Sequence, residues 1–170
     1  MAGLPGSGKS TLLHAWQSVA TVVDPRATRT AYQAMMPAWL PYVAYRPWAR
    51  LKHMRWIRAE IRRAHPLFVH DCGSRAWMRR WLARNADRAG RPLHMVLLDV
   101  GSHEALSGQH ARRRLTSRRV FATHQRGLAR LLSPVEGSSL VAPDGLTSMV
   151  LLDRASRDAG PRARFDWQQD

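Results

Sequence analysis

The chain has 170 residues, a formal net charge of +15 and a hydrophobic content of 45%. That length suits one domain with a real core, and the apolar share excludes a chain disordered throughout. No apolar run approaches the roughly 20 residues of a membrane span, so no membrane partner is expected, and no signal peptide is read ahead of the first motif. The single cysteine, Cys72, excludes an internal disulfide framework and points to an intracellular, cytoplasmic location.

Chemistry is legible at the start. Gly3-Leu4-Pro5-Gly6-Ser7-Gly8-Lys9-Ser10, followed by Thr11, fits G-x-x-x-x-G-K-S, the phosphate-binding P-loop. Glycines let the backbone wrap a phosphate chain and aim N–H groups at it, Lys9 supplies a point charge, and the Ser10 hydroxyl is suited to Mg²⁺. The following helix turns its positive end to the same anion. Gly3, Pro5, Gly6, Ser7, Gly8, Lys9, Ser10 and Thr11 are therefore the expected nucleotide-binding set, with ATP or GTP and Mg²⁺ as ligands. Only Met1 and Ala2 precede Gly3, so the strand that normally feeds such a loop is expected to be missing or very short, as in a truncated chain or one with a misplaced start.

Further along, Leu12 to Val19 predicts a helix, and Ala20-Thr21-Val22-Val23-Asp24 a short parallel strand. Thr28 to Met36 predicts a second helix. Pro37, Pro41 and Pro47 predict a loop or short helical pieces. Trp48 to Ala64 reads as a long helix with Leu51, Met54, Ile57 and Ile61 on its apolar face. Pro66 to Asp71 predicts a strand, and Arg75 to Ala89 a helix anchored by Trp77, Trp81 and Leu82. Pro92 to Asp99 is the clearest strand. His103 to Arg114 and Arg118 to Leu132 predict two helices, Ser133 to Gly145 a loop, and Ser148 to Asp153 the last strand. The alternation predicts an α/β fold: a three-layer P-loop NTPase sandwich around a parallel sheet. Residues 1–155 form the expected nucleotide-binding domain, with a lid near 108–120, and 156–170 a flexible tail.

Ligands of such sheets sit at the carboxyl ends of the strands, where Asp24, Asp71, Asp99 and Asp153 fall. Asp71 is a candidate for organising Mg²⁺, against the alternative of a helix cap. Asp24 is a candidate for orienting or deprotonating an attacking hydroxyl, with Arg26 and Arg29 placed to hold an anionic substrate group; the alternative is a turn aspartate beside solvent-facing arginines. Between Gln109 and Arg119 lie five arginines within eight residues. Arg112 and Arg114 are the expected inward pair of a lid that offsets charge on a transferred phosphoryl group, against a solvated basic helix face. The histidines have no metal-ligand spacing with Cys72, and the tryptophans read mostly as core.

Together, the loop, the strand ends Val22-Val23-Asp24-Pro25-Arg26-Ala27-Thr28-Arg29 and Phe68-Val69-His70-Asp71, and Gln109-x-x-Arg112-x-Arg114-x-x-Ser117 resemble the small P-loop kinases of the AAA-domain group. That group includes polynucleotide kinase, zeta toxin and chloramphenicol phosphotransferase. The resemblance spans roughly Met1 to Asp153. It implies a five-stranded parallel sheet with the P-loop strand central, and transfer of a γ-phosphoryl group from ATP or GTP with Mg²⁺ to a hydroxyl of an unidentified acceptor. It matches the lid arginines to Arg112 and Arg114 and an anion-binding arginine to Arg29. The family often has an acid three residues before that arginine, where this chain has Arg26. Two other readings stay open: a nucleotide-binding protein without phosphotransfer, and a basic nucleic-acid-binding protein with a vestigial P-loop. Lys9 and Lys52 are the only lysines, so the charge is almost all arginine. It fits either a surface for nucleic acid or an arginine-rich codon bias.

Overall fold

The computed structural model describes residues 1–63, 65–71, 73–111, 115–136 and 143–165, the side chains of 134–136 and 143 excepted. Among the described residues, five strands are interleaved with helices. They are β1 (Ala2–Gly3), β2 (Thr21–Val23), β3 (Leu67–Val69), β4 (His94–Leu98) and β5 (Ser148–Leu152). The helices are α1 (Lys9–Trp16), α2 (Pro25–Met35), α3 (Tyr42–Ile61), α4 (Ala76–Asp87), α5 (Ser102–Ala111), α6 (Arg118–Glu136) and α7 (Arg154–Asp158).

All strand pairings are parallel: β2 with β3, β1 with β4, and β4 with β5. The Met1 amino group donates to the Val69 carbonyl at 2.8 Å, and the Asp71 N–H to the Met1 carbonyl at 3.2 Å. These two bonds set β3 against the free edge of β1. The order across the molecule is thus β2-β3-β1-β4-β5, with the P-loop strand central. Central position does not demand length: β1 is two residues, both buried.

The sheet is apolar on both faces, as a covered parallel sheet must be. On β4, Leu98 and Val96 face α1 with Leu12, Trp16 and Phe68. Met95 and Leu97 face the other way, toward Ala105 of α5 and Phe121, Leu128 and Leu131 of α6. A third cluster joins Val23 to Ile57 and Ile61 of α3 and Met78 and Leu82 of α4.

Several expectations need correction. α3 starts at Tyr42 and runs through Pro47. Pro47 removes one bond to the Val43 carbonyl, and Val43 is exposed, so water can take that acceptor. The buried stripe of α3 is Tyr45, Ala49, Ile57 and Ile61, with the half-buried His53 between, at four-residue spacing. Leu51 is 51% exposed and is not on it. α4 buries Met78 and Leu82 while Trp77 is 51% exposed, and Trp39 and Trp48 are also exposed. The tryptophans are therefore not mostly core.

Within the expected loose tail, the described residues up to Phe165 fold back. Trp16 Nε1 donates to the Pro161 carbonyl at 2.7 Å, and Phe165 meets Phe68 edge to face, their ring centroids 5.4 Å apart. No helix among the described residues is long and apolar enough to cross a membrane.

Candidate functional site: a phosphate cradle facing an arginine wall

The P-loop leaves β1 through a turn closed by the Ser7 N–H donating to the Leu4 carbonyl at 3.1 Å. Gly8 then starts α1 in the left-handed region, φ 96°, which an L side chain adopts only at a cost. Gly6 is at φ 93°, and a Cβ there would overlap the Ala105 carbonyl oxygen. The loop therefore needs glycine twice, for backbone sign and for close packing on α5. Lys9 is buried and folded onto its own loop, donating to the carbonyls of Gly3 (2.8 Å) and Leu4 (2.6 Å) and to Ser7 Oγ (3.3 Å). This end of α1 is the positive pole of the helix dipole and so favours an anion.

A cleft of about 830 Å³ opens over this loop. Pro5, Gly6, Gly8, Lys9 and Ser10 form one side; Arg26 and Arg29 of α2, with His70 and Asp71 after β3, form another. Gly108, Gln109, Leu115 and Thr116 close the third. Gly3 and Ser7 are buried beneath the loop, and Thr11 is exposed on α1 outside the cleft lining. Arg112 and Arg114 lie outside the described residues.

Asp24 is the N-cap of α2: Oδ1 accepts from the Arg26 N–H at 2.8 Å, and Oδ2 lies 2.9 Å from His70 Nδ1. Burial disfavours its charge, but the adjacent His70 ring, the Arg26 N–H and the Arg26 guanidinium outweigh that and hold its carboxyl below the usual value. His70, not Asp24, borders the cleft. Asp71 faces the cleft, and its Oδ2 accepts from the Gly73 N–H at 2.9 Å. Asp153 is likewise a cap, accepting from the Ser156 N–H at 2.7 Å. Capping thus accounts for two of the four acids at strand ends.

The Arg29 guanidinium lies 4.5 Å from the Tyr42 ring centroid, stacked on an aromatic face. Burial, reinforced by Arg46 and Arg75, lowers the pKa of Arg50. Burial also lowers the pKa of His53, and of His124, whose Nδ1 is 2.6 Å from Ser74 Oγ.

Three contributors escape the sequence pattern. Gln109 is 3% exposed; its Nε2 donates to the Pro5 carbonyl at 2.9 Å, and its Oε1 accepts from the Thr116 N–H at 2.7 Å. It ties the P-loop to the segment leading into α6. Arg157 donates to the Ser7 carbonyl at 3.2 Å and lies 2.8 Å from Glu104, tying the loop to α5 and α7. His70 is the third. Gln109 heads the quoted arginine run and His70 stands at a strand end, but neither position says what the side chain bonds; an arginine in a polar tail carries no local signal.

The arrangement fits a nucleoside triphosphate with Mg²⁺. A glycine cradle, an ammonium, a hydroxyl and a carboxylate converge on one cleft, and oxygen donors suit that hard cation. Among the described residues no group of three or more His, Cys, Asp or Glu could hold a metal ion. No curated protein matches the chain. Residues 1–134, most of the chain, match the AAA domain family, whose proteins are P-loop and kinase-like. The chain belongs to this P-loop family of nucleotide-binding AAA domains.

Proposed function

We propose that the protein is a cytoplasmic nucleotide-dependent phosphotransferase that moves a γ-phosphoryl group from ATP or GTP to an acceptor hydroxyl. The observation that carries this reading is a single cleft joining a phosphate cradle to a wall of Arg26, Arg29, His70 and Asp71. A protein that only held a nucleotide would not need the two arginines of α2, Arg26 and Arg29, on the same cleft.

In this reading the N–H groups of the P-loop and of the first turn of α1 hold the phosphate chain. Lys9 exchanges its loop carbonyls for phosphate oxygens, and Ser10 and Asp71 hold Mg²⁺ directly or through water. Bound Mg²⁺ supplies charge neutralisation at the β- and γ-phosphates. Arg26 and Arg29 draw in an anionic acceptor group. Asp24 serves the acceptor side from its capping position, and Arg112 and Arg114 offset charge developing on the transferred group. The net charge of +15 and the closeness of Arg46, Arg50 and Arg75 favour an acceptor that itself carries negative charge, a nucleic-acid end or a phosphorylated small molecule.

Calorimetry with Mg·ATP and Mg·GTP, beside transfer of a labelled γ-phosphoryl group, tests the reading. Wild type should bind and transfer, whereas Lys9→Ala should lose at least tenfold in affinity and most turnover. A Lys9→Ala protein that binds and turns over like wild type would reject it.

A further inference from the structure

One face of α3 changes character along its length. Ile57 and Ile61 share a cluster with Val23 and with Met78 and Leu82 of α4. Arg50 stands seven residues before Ile57, and Arg46 four before Arg50, so both arginines continue that face toward the start of α3. The face is apolar where α4 covers it and cationic beyond. Arg75, the N-cap of α4, stands close enough for its charge to act on Arg50, as does Arg46.

Guanidinium groups from two helices therefore gather at one place, and all of them are exposed. Among the described residues, no carboxylate lies within ion-pair distance of Arg46, Arg50 or Arg75. Elsewhere the same fold supplies one: Arg79 and Arg80 share Asp144, and Arg154 and Arg157 share Glu104. The first turn of α4 holds no acid, and Arg75 makes no side-chain cap, so the positive end of that helix adds to the same sign. Gathering like charges without a counter-charge works against stability, and such conflicts collect where function uses them.

The cluster adjoins the cleft on two sides. Tyr42 is among the groups that act on Arg50, and the Arg29 guanidinium, which lines the cleft, lies over the Tyr42 ring. Arg75 acts on the His124 ring together with Asp71 and Lys9, which both line the cleft.

We propose that Arg46, Arg50 and Arg75 form a second anion site, separate from the P-loop, that holds a phosphate group of the acceptor while the acceptor hydroxyl lies in the cleft. Guanidinium forks suit it, because they bond phosphate oxygens in pairs. The phosphate belongs either to a small phosphorylated acceptor or to a nucleic-acid strand, and both present the same oxygens. Anion binding here stands without the phosphotransferase reading; its use in placing an acceptor rests on that reading.

The test has two arms on the full chain. The first is binding of inorganic phosphate to ¹⁵N-arginine-labelled protein at constant ionic strength, with Mg·ADP present to occupy the P-loop. The Nε–H signals of Arg50 and Arg75 are identified by their loss in Arg50→Gln and Arg75→Gln. In wild type both should shift saturably with phosphate, and in Arg75→Gln the remaining Arg50 signal should report an affinity about tenfold weaker. If Arg75→Gln does not fold, Arg46→Gln takes its place. Signals that follow phosphate no more than chloride, or an affinity equal in wild type and variant, overturn the site.

The second arm measures transfer from Mg·ATP to glycerol, glycerol 3-phosphate, a nucleoside, a nucleoside 3′-phosphate and oligonucleotides of increasing length. Arg50→Gln should raise KM for the phosphorylated acceptors about tenfold more than KM for glycerol and the nucleoside. An equal rise for both kinds overturns the acceptor role. KM that falls as the strand lengthens assigns the phosphate to a nucleic acid; KM indifferent to length assigns it to a small acceptor, and either result upholds the site. Wild type that binds phosphate at Arg50 and Arg75 yet transfers to none of these acceptors removes the phosphotransferase reading and the acceptor role with it, and leaves the anion site standing.

Discussion

Gly6 shows how narrowly a single residue is constrained here. Its φ of 93° disfavours any side chain, and α5 leaves no room for one. Gly6→Ala should destabilise the protein by about 2–3 kcal/mol, from left-handed strain plus overpacking against Ala105. A urea midpoint equal to that of wild type would contradict this. Gln109 is constrained by hydrogen bonds instead: it is buried with both ends of its amide committed. Gln109→Ala leaves the Pro5 carbonyl and Thr116 N–H without that partner, at a cost of about 1–3 kcal/mol. Hydrogen exchange at Thr116 should quicken in the variant; unchanged exchange would deny the tie between the loop and the segment before α6.

At the scale of an element, α2 depends on Asp24 in two ways. As a cap it contributes about 1 kcal/mol, and as a carboxylate beside His70 it couples stability to pH. Its folded-state pKa lies below the ordinary value of 3.8. The contribution is therefore complete above that ordinary value and lost as pH falls through the folded one. Asp24→Asn should give a flatter stability curve than wild type in acid, below about pH 4, and parallel acid unfolding curves would refute the coupling. The same element explains why a strand-end position alone leaves two roles open at Asp24. A carboxylate after a strand satisfies helix N–H groups as well as it serves chemistry, and here it does the first while facing a histidine.

Across the whole molecule, the segment after β5 acts as a clasp. Trp16, Phe68 and the P-loop each gain a contact from residues 157–165. Ending the chain after Asp153 should cost about 2 kcal/mol, equivalent to about 4–8 °C in Tm, and should weaken Mg·ATP binding because Ser7 loses Arg157. A truncated chain with wild-type Tm and affinity would show that the clasp is idle.

The sequence by itself determined the cradle and the class of fold. Glycine spacing, a lysine and a hydroxyl are local requirements, and apolar runs ending in acids mark parallel strands one at a time. Its reading of α3 found Ile57 and Ile61 but set Leu51 beside them, because that helix has apolar and charged residues on all sides; packing against Val23 and α4 selected the stripe that leaves Leu51 exposed. The centrality of a two-residue β1, the clasp on α1 and the meeting of Asp24 with His70 belong to tertiary structure alone. Each depends on which strand lies beside which, and that is settled by burying both faces of a sheet at once, a condition no local stretch of chain contains.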